Sequence, residues 1–94
     1  MKAYWLVRCN VKDADIYGEY IKLAGPAIEK HGGRYLVRGG QQAEVEGEGY
    51  ERTVLVEFDS FKEAKACYQS EDYQTAYKLQ EKAADRLVVI VEGC

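Results

Sequence analysis

A chain of 94 residues makes one domain (residues 1–94) and hides only about 60–65% of the surface its unfolded form exposes, so its core is thin and a partner subunit would help. A formal charge of −3, from 16 acidic and 13 basic residues, opposes nonspecific attraction to nucleic acid or anionic membranes. No apolar run approaches a membrane span, the apolar N-terminal stretch is broken by Arg8, and Cys9, Cys67 and Cys94 form neither a CxxC pair nor a disulfide framework; the chain reads as cytoplasmic.

Ala3 to Val11 is β-branched, aromatic or aliphatic and reads as a strand, with Trp5, Val7, Cys9 and Val11 on one face and Tyr4, Leu6, Arg8 and Asn10 on the other. Asp13 suits an N-cap for a helix whose stripe is Ile16, Tyr17, Tyr20, Ile21, Ala24, Ala27 and Ile28. Gly25-Pro26 predicts a kink or break in it, and Gly32-Gly33 a stop, one of the two supplying the left-handed residue of a C-cap. Arg34 to Arg38 reads as a second strand, and Gly39-Gly40 allow a bulge or bend after it.

The acidic, glycine-bearing segment Gln41 to Glu51 reads as an exposed loop, and Arg52 to Phe58 alternates into a third strand. Ser60 to Glu63 matches a capping box, starting a helix with Phe61, Ala64, Cys67 and Tyr68 inward; Ser70 restarts it with Tyr73, Ala76, Tyr77 and Gln80. From Asp85, the run R-L-V-V-I-V-E is a last strand, apolar on both faces in its middle. The order β-α-β-β-α-β, with right-handed crossovers around a central hairpin, gives an α+β, ferredoxin-like domain: a four-stranded antiparallel sheet with helices on one face.

The sheet face without helices is then expected to carry Tyr4, Leu6, Arg8, Asn10, Arg34, Leu36, Arg38, Thr53, Leu55, Glu57, Val88, Ile90 and Glu92. Its middle is too apolar to leave bare, so two sheets packed face to face make a homodimer. Arg8, Arg38, Glu57 and Glu92 serve equally well as interface ion pairs.

RNA-binding modules share this topology, but their stacking aromatics would fall at Thr53 and Leu55, and neither stacks a base; nucleic acid is not an expected partner. His31, the lone histidine, stands at a helix end, where a cation suits the dipole. No second histidine or cysteine at ligand spacing accompanies it, so no metal site is expected, and the glycine spacing matches no nucleotide loop, so no cofactor is. The eight tyrosines fall mostly on inner helix faces. Where those phenols meet sheet arginines, a pocket suits a small carboxylate or enolate, with a carboxylate such as Glu57 to move protons.

Lys2 to Trp5, the tract G-G-R-Y-L-V-R-G-G from Gly32 to Gly40, Val56-Glu57-Phe58, Ala66 to Tyr73 and the ending Val91-Glu92-Gly93 together resemble the domain-of-unknown-function 1330 family over essentially the whole chain. The resemblance implies a dimeric α+β barrel, the architecture of cofactor-free antibiotic-biosynthesis monooxygenases and muconolactone isomerases, and no set reaction. Cys67, where an aromatic is common, and Glu71, where proline is common, depart from the pattern and bear on the pocket near the second helical region.

The reading is therefore a homodimer that binds a small anionic or aromatic metabolite, with monooxygenase- or isomerase-like chemistry open to it. Arg38 and Arg34 would hold the anion, Tyr4 donate a hydrogen bond, and Glu57 or His31 handle protons. The alternative is a non-catalytic dimeric interaction domain.

Overall fold

The computed structural model describes residues 1–47 and 49–94. β1 (Ala3–Val11) is followed by α1 (Ala14–Lys30), β2 (Arg34–Arg38), β3 (Arg52–Phe58), α2 (Phe61–Gln69), α3 (Glu71–Gln80) and β4 (Ala84–Glu92). The strands form one antiparallel sheet in the order β2-β3-β1-β4, with β1 and β3 central. This is the ferredoxin-like βαββαβ arrangement, with the helices over one face.

Local chemistry sets the helix ends. Asp13 accepts from the Ile16 amide at 3.1 Å, Ser60 from the Glu63 amide at 3.1 Å and Ser70 from the Tyr73 amide at 3.3 Å, each satisfying an amide that has no intrahelical partner. At the end of α1, His31 is the C-cap, Gly32 takes the left-handed conformation at φ 83°, and the Gly33 amide bonds back to the Ile28 carbonyl at 2.9 Å. Gly33 is required for a different reason: a Cβ there would stand 2.5 Å from Ile28 and 2.9 Å from the Phe58 ring. The helix does not break at Gly25-Pro26: α1 runs through both residues. Pro26 and Lys22 are both exposed, so the carbonyl that loses its partner to proline faces water.

The core lies between helices and sheet. Trp5, Val56 and Phe58 are essentially fully buried, as are Cys67 and Tyr73 from the helices. Trp5 is its centre: its ring packs on Phe58, Tyr68 and Tyr73 at centroid distances of 5.2, 5.6 and 4.9 Å, and its indole N–H donates to the Ala64 carbonyl at 2.9 Å. Phe61, expected on the inner face of α2, is 39% exposed.

Two face assignments from the sequence are corrected. Trp5 pairs with Ile90, Val7 with Val88 and Cys9 with Arg86, so Val88 and Ile90 face the helices, and Glu92, opposite buried Ala3, shares their side. Leu87, Val89 and Val91 face away from the helices instead. A strand apolar on both sides gives no phase signal, and register decides it. In β2 a bulge between Tyr35 and Val37 shifts the pairing, so that Arg34 stands opposite Glu57 but Arg38 stands opposite Val54. Arg38 therefore belongs to the helix side, because one extra residue inverts the alternation.

Candidate functional site

The bulge and the phase of β4 bring arginines from three strands under α1. Arg38 ends β2, Arg52 opens β3 and Arg86 lies on β4; with Tyr17, Tyr20 and Tyr35 they line a cavity of about 30 Å³ floored by Trp5, Val7, Val54 and Val56. One water-sized sphere needs roughly 10–15 Å³, so the space suits the polar head of a small molecule.

Each guanidinium is held without a carboxylate. Arg38, exposed at the rim, stacks on the Tyr35 ring at 4.1 Å and reaches towards Gly25 of α1, where a Cβ would stand 3.7 Å from its Nη2. Arg52 rests on the backbone of Gly39, whose φ is 69°. Arg86 stacks on Tyr20 at 5.1 Å and donates from Nη2 to the Tyr73 hydroxyl at 3.3 Å. Among the described residues, Arg38, Arg52 and Arg86 join no salt bridge. Nε of Arg52, and Nε and Nη1 of Arg86, are shielded from solvent and have no acceptor. Buried donors of this kind are costly to leave unmade, above all on a cation. Burial works against the Arg86 charge, but a guanidinium keeps its proton throughout the neutral range, and the Tyr73 hydroxyl oxygen accepts from it.

The phenols form a chain. The Tyr20 and Tyr73 hydroxyls are 2.8 Å apart, and the Tyr17 hydroxyl lies 3.8 Å from Cys9 Sγ. Burial first, then the neighbouring Tyr20, pushes the Tyr73 phenol far above its usual range, so it keeps its proton at neutral pH.

The residues expected to bind a ligand are not all brought together. Arg38 is in the cavity. Tyr4, Arg34 and Glu57 meet on the opposite sheet face: Tyr4 donates to Glu57 at 3.2 Å, and Arg34 donates to Glu57 at 3.0 Å and to Asp59 at 3.1 Å. Hydrogen bonding from Arg34 lowers the Glu57 pKa against the opposing effect of desolvation, with Tyr4 adding to the lowering. His31 is at the C-terminus of α1, its Nε2 3.4 Å from Asp72 of α3. Arg52, Arg86, Tyr17, Tyr20 and Tyr35 stand in the cavity outside that expected set. The signal available in the sequence was the meeting of helix tyrosines with sheet arginines; what it lacked was the face of each arginine.

The Tyr4 side of the sheet carries an apolar patch. Leu6, Leu87, Val89, Val91 and Val37 are each 36–45% exposed, with Leu55 among them. At one end the loop after β2 covers it: Arg8 donates to Glu44 and to the Tyr50 carbonyl, and Thr53 donates to Gln42 at 2.7 Å. Among the described residues, no helix is long and apolar enough to cross a membrane, and no group of three or more His, Cys, Asp or Glu is placed to hold a metal ion.

Fold and site together define a ferredoxin-like α+β domain with a cationic, phenol-lined cavity between sheet and first helix. Residues 2–94 match the family described as Domain of unknown function (DUF1330), and the chain belongs to that family. No curated protein matches the chain in sequence. Among solved structures it is similar to RPA0582, a protein of unknown function from Rhodopseudomonas palustris, with a TM-score of 0.80 and 18% identity over 99% of this chain and 82% of that one. A dimeric ferredoxin-like protein of unknown function from Bacteroides fragilis matches with a TM-score of 0.67 and 15% identity, covering 98% and 96%. SnoaB, a cofactor-independent oxygenase from Streptomyces nogalater, matches with a TM-score of 0.65 and 5% identity, covering 99% and 93%. At these identities the likeness is one of fold.

Proposed function

We propose that the protein is a homodimer that takes a small organic anion into the cavity beneath α1. The observation that carries this reading is Arg86: a shielded guanidinium with two nitrogens, Nε and Nη1, lacking an acceptor and no carboxylate among the described residues of the cavity. A carboxylate supplies the missing acceptors and the compensating charge. Arg52 provides a second donor, Arg38 stands at the rim, and the apolar floor accepts a short aliphatic body.

Arg38 keeps the anion-binding role expected from the sequence. Tyr4, Arg34 and Glu57 serve the other face, where their mutual hydrogen bonds border the apolar patch that the second copy covers. His31, paired with Asp72, fixes the junction of α1 and α3. The dimeric Bacteroides fragilis neighbour supports the assembly, and SnoaB, a cofactor-independent oxygenase, shares the fold.

The test is calorimetric titration of the wild type with acetate and propionate, with Arg86→Met and Arg38→Ala alongside. Saturable binding that Arg86→Met abolishes and Arg38→Ala weakens is the expected result. Folded proteins that bind neither anion, or an Arg86→Met variant that binds as well as the wild type, overturn the anion site and leave the dimeric interaction domain in its place.

A further inference from the structure

Hydrogen-bond direction along the Arg86–Tyr73–Tyr20 chain determines what the cavity presents. The Tyr73 side chain is fully buried, and the partners of its hydroxyl among the described residues are Arg86 Nη2 at 3.3 Å and the Tyr20 hydroxyl at 2.8 Å. A guanidinium only donates, so the Tyr73 oxygen accepts from Arg86. The remaining Tyr73 proton then goes to the Tyr20 oxygen. Tyr20 lines the cavity and Tyr73 does not, and with Tyr73 as its donor the Tyr20 hydroxyl has its own proton left for the cavity. Each bond polarises the next, so the cation at one end strengthens Tyr20 as a donor at the other.

The other polar side chains of the lining are Arg38, Arg52, Arg86, Tyr17 and Tyr35, and none is a carboxylate, amide or imidazole. The lining is therefore made of groups that donate, and a matching ligand carries acceptors close together. A carboxylate meets the guanidinium groups, and a second oxygen acceptor on the adjacent carbon meets the Tyr20 proton.

We infer that the cavity is built for a 2-oxo acid, its carboxylate held by Arg86 and Arg52 and its 2-oxo oxygen accepting from Tyr20, with Tyr73 as the positioning residue that orients the Tyr20 proton. This inference rests on the anion-binding reading above and names the ligand class of that same site. The strengthened donor also polarises the C2 carbonyl of the ligand, drawing electron density onto its oxygen.

The experiment compares pyruvate with propionate, which share a carbon count and differ in the 2-oxo oxygen, by calorimetry and by the 13C shift of the C2 carbon of labelled pyruvate on binding. In the wild type pyruvate binds about tenfold tighter than propionate, the effect of one good hydrogen bond, and its C2 resonance moves downfield. Tyr20→Phe keeps the ring over Arg86; in it the two acids bind alike, at the propionate level, and the downfield shift is lost. Tyr73→Phe keeps Tyr20 but not its orienting donor, and there the C2 shift shrinks while propionate affinity holds. Equal binding of both acids by the wild type, or a pyruvate preference that survives in Tyr20→Phe, overturns the 2-oxo assignment and leaves anion binding standing. Failure of both acids to bind folded wild type overturns the two readings together.

Discussion

The guanidinium of Arg52 fills the space that a side chain at position 39 would occupy above Gly39. Gly39 also has φ 69°, a conformation that other residues adopt at a cost of about 1 kcal/mol or more. Gly40, its neighbour, meets nothing within 4 Å of a built Cβ and has no positive φ. Within this Gly-Gly pair, the first glycine seats a cavity arginine.

Gly39→Ala should accordingly lower stability by roughly 1–3 kcal/mol and, by displacing Arg52, weaken carboxylate binding, while Gly40→Ala leaves both within error. Denaturant unfolding and calorimetry on the two variants check this. Equal effects at the two positions would remove Arg52 from the site.

Arg86→Met should separate stability from binding. Exchanging a shielded, incompletely bonded cation for an apolar side chain of similar length raises unfolding free energy by about 1 kcal/mol in the absence of anion. The same change abolishes the anion-dependent rise in melting temperature. A variant less stable than wild type in anion-free buffer shows that Arg86 is a structural residue.

Acid should unfold the protein through its paired carboxylates. Glu57 is held low first by Arg34, Asp59 first by Lys2 and then Arg34, and Asp72 first by the Ser70 hydrogen bond, with His31 contributing. A depressed folded pKa means stability that is complete above the unfolded carboxylate range of roughly 4 and is lost as pH falls through the folded values. Melting temperature followed from pH 7 downward should hold and then drop below about pH 4–5. Arg34→Ala, which releases Glu57 and one of the two partners of Asp59, should make that drop shallower; an unchanged acid limb would show that these pairs do not differ between folded and unfolded chains.

Thiol chemistry should report the core. Burial pushes the Cys67 thiol up to about 12, Cys9 is fully buried, and Cys94 is exposed. Mass spectrometry after brief iodoacetamide treatment of the native protein should find Cys94 alkylated and Cys9 and Cys67 untouched until denaturant is added. Early labelling of Cys67 would mean that α2 opens readily.

The apolar patch gives a direct test of assembly. Val89→Lys places a charge at the middle of the face bearing Leu6, Leu55 and Val91, and should convert the proposed dimer to a folded monomer by sedimentation equilibrium. A dimer that survives the change assembles through another surface.

The fold was legible because its signals are local. Asp13, Ser60 and Ser70 cap the helices they were expected to cap, Gly32 ends α1, and the alternation of Val54, Val56 and Phe58 sets the inner face of β3. The cavity was legible only in kind. Arg34 and Arg38 sit four residues apart, a spacing that puts them on one face of a regular strand, and the bulge that separates them is visible only in the pairing with β3. Arg86 is followed by five apolar residues, so no alternation in the sequence reveals which way it points. Both are matters of strand parity, which a neighbouring strand fixes and composition does not.

That parity shift has a consequence at the sheet's border. β2 and β4 are the two edge strands. β2 is five residues long and broken in register, which makes it a poor template for a foreign strand. β4 runs nine residues without a break and holds Leu87 to Val91 in a row along its open edge. Self-association through backbone pairing is thus directed to one border of the sheet, and crowding or heating should nucleate aggregates from β4 rather than β2.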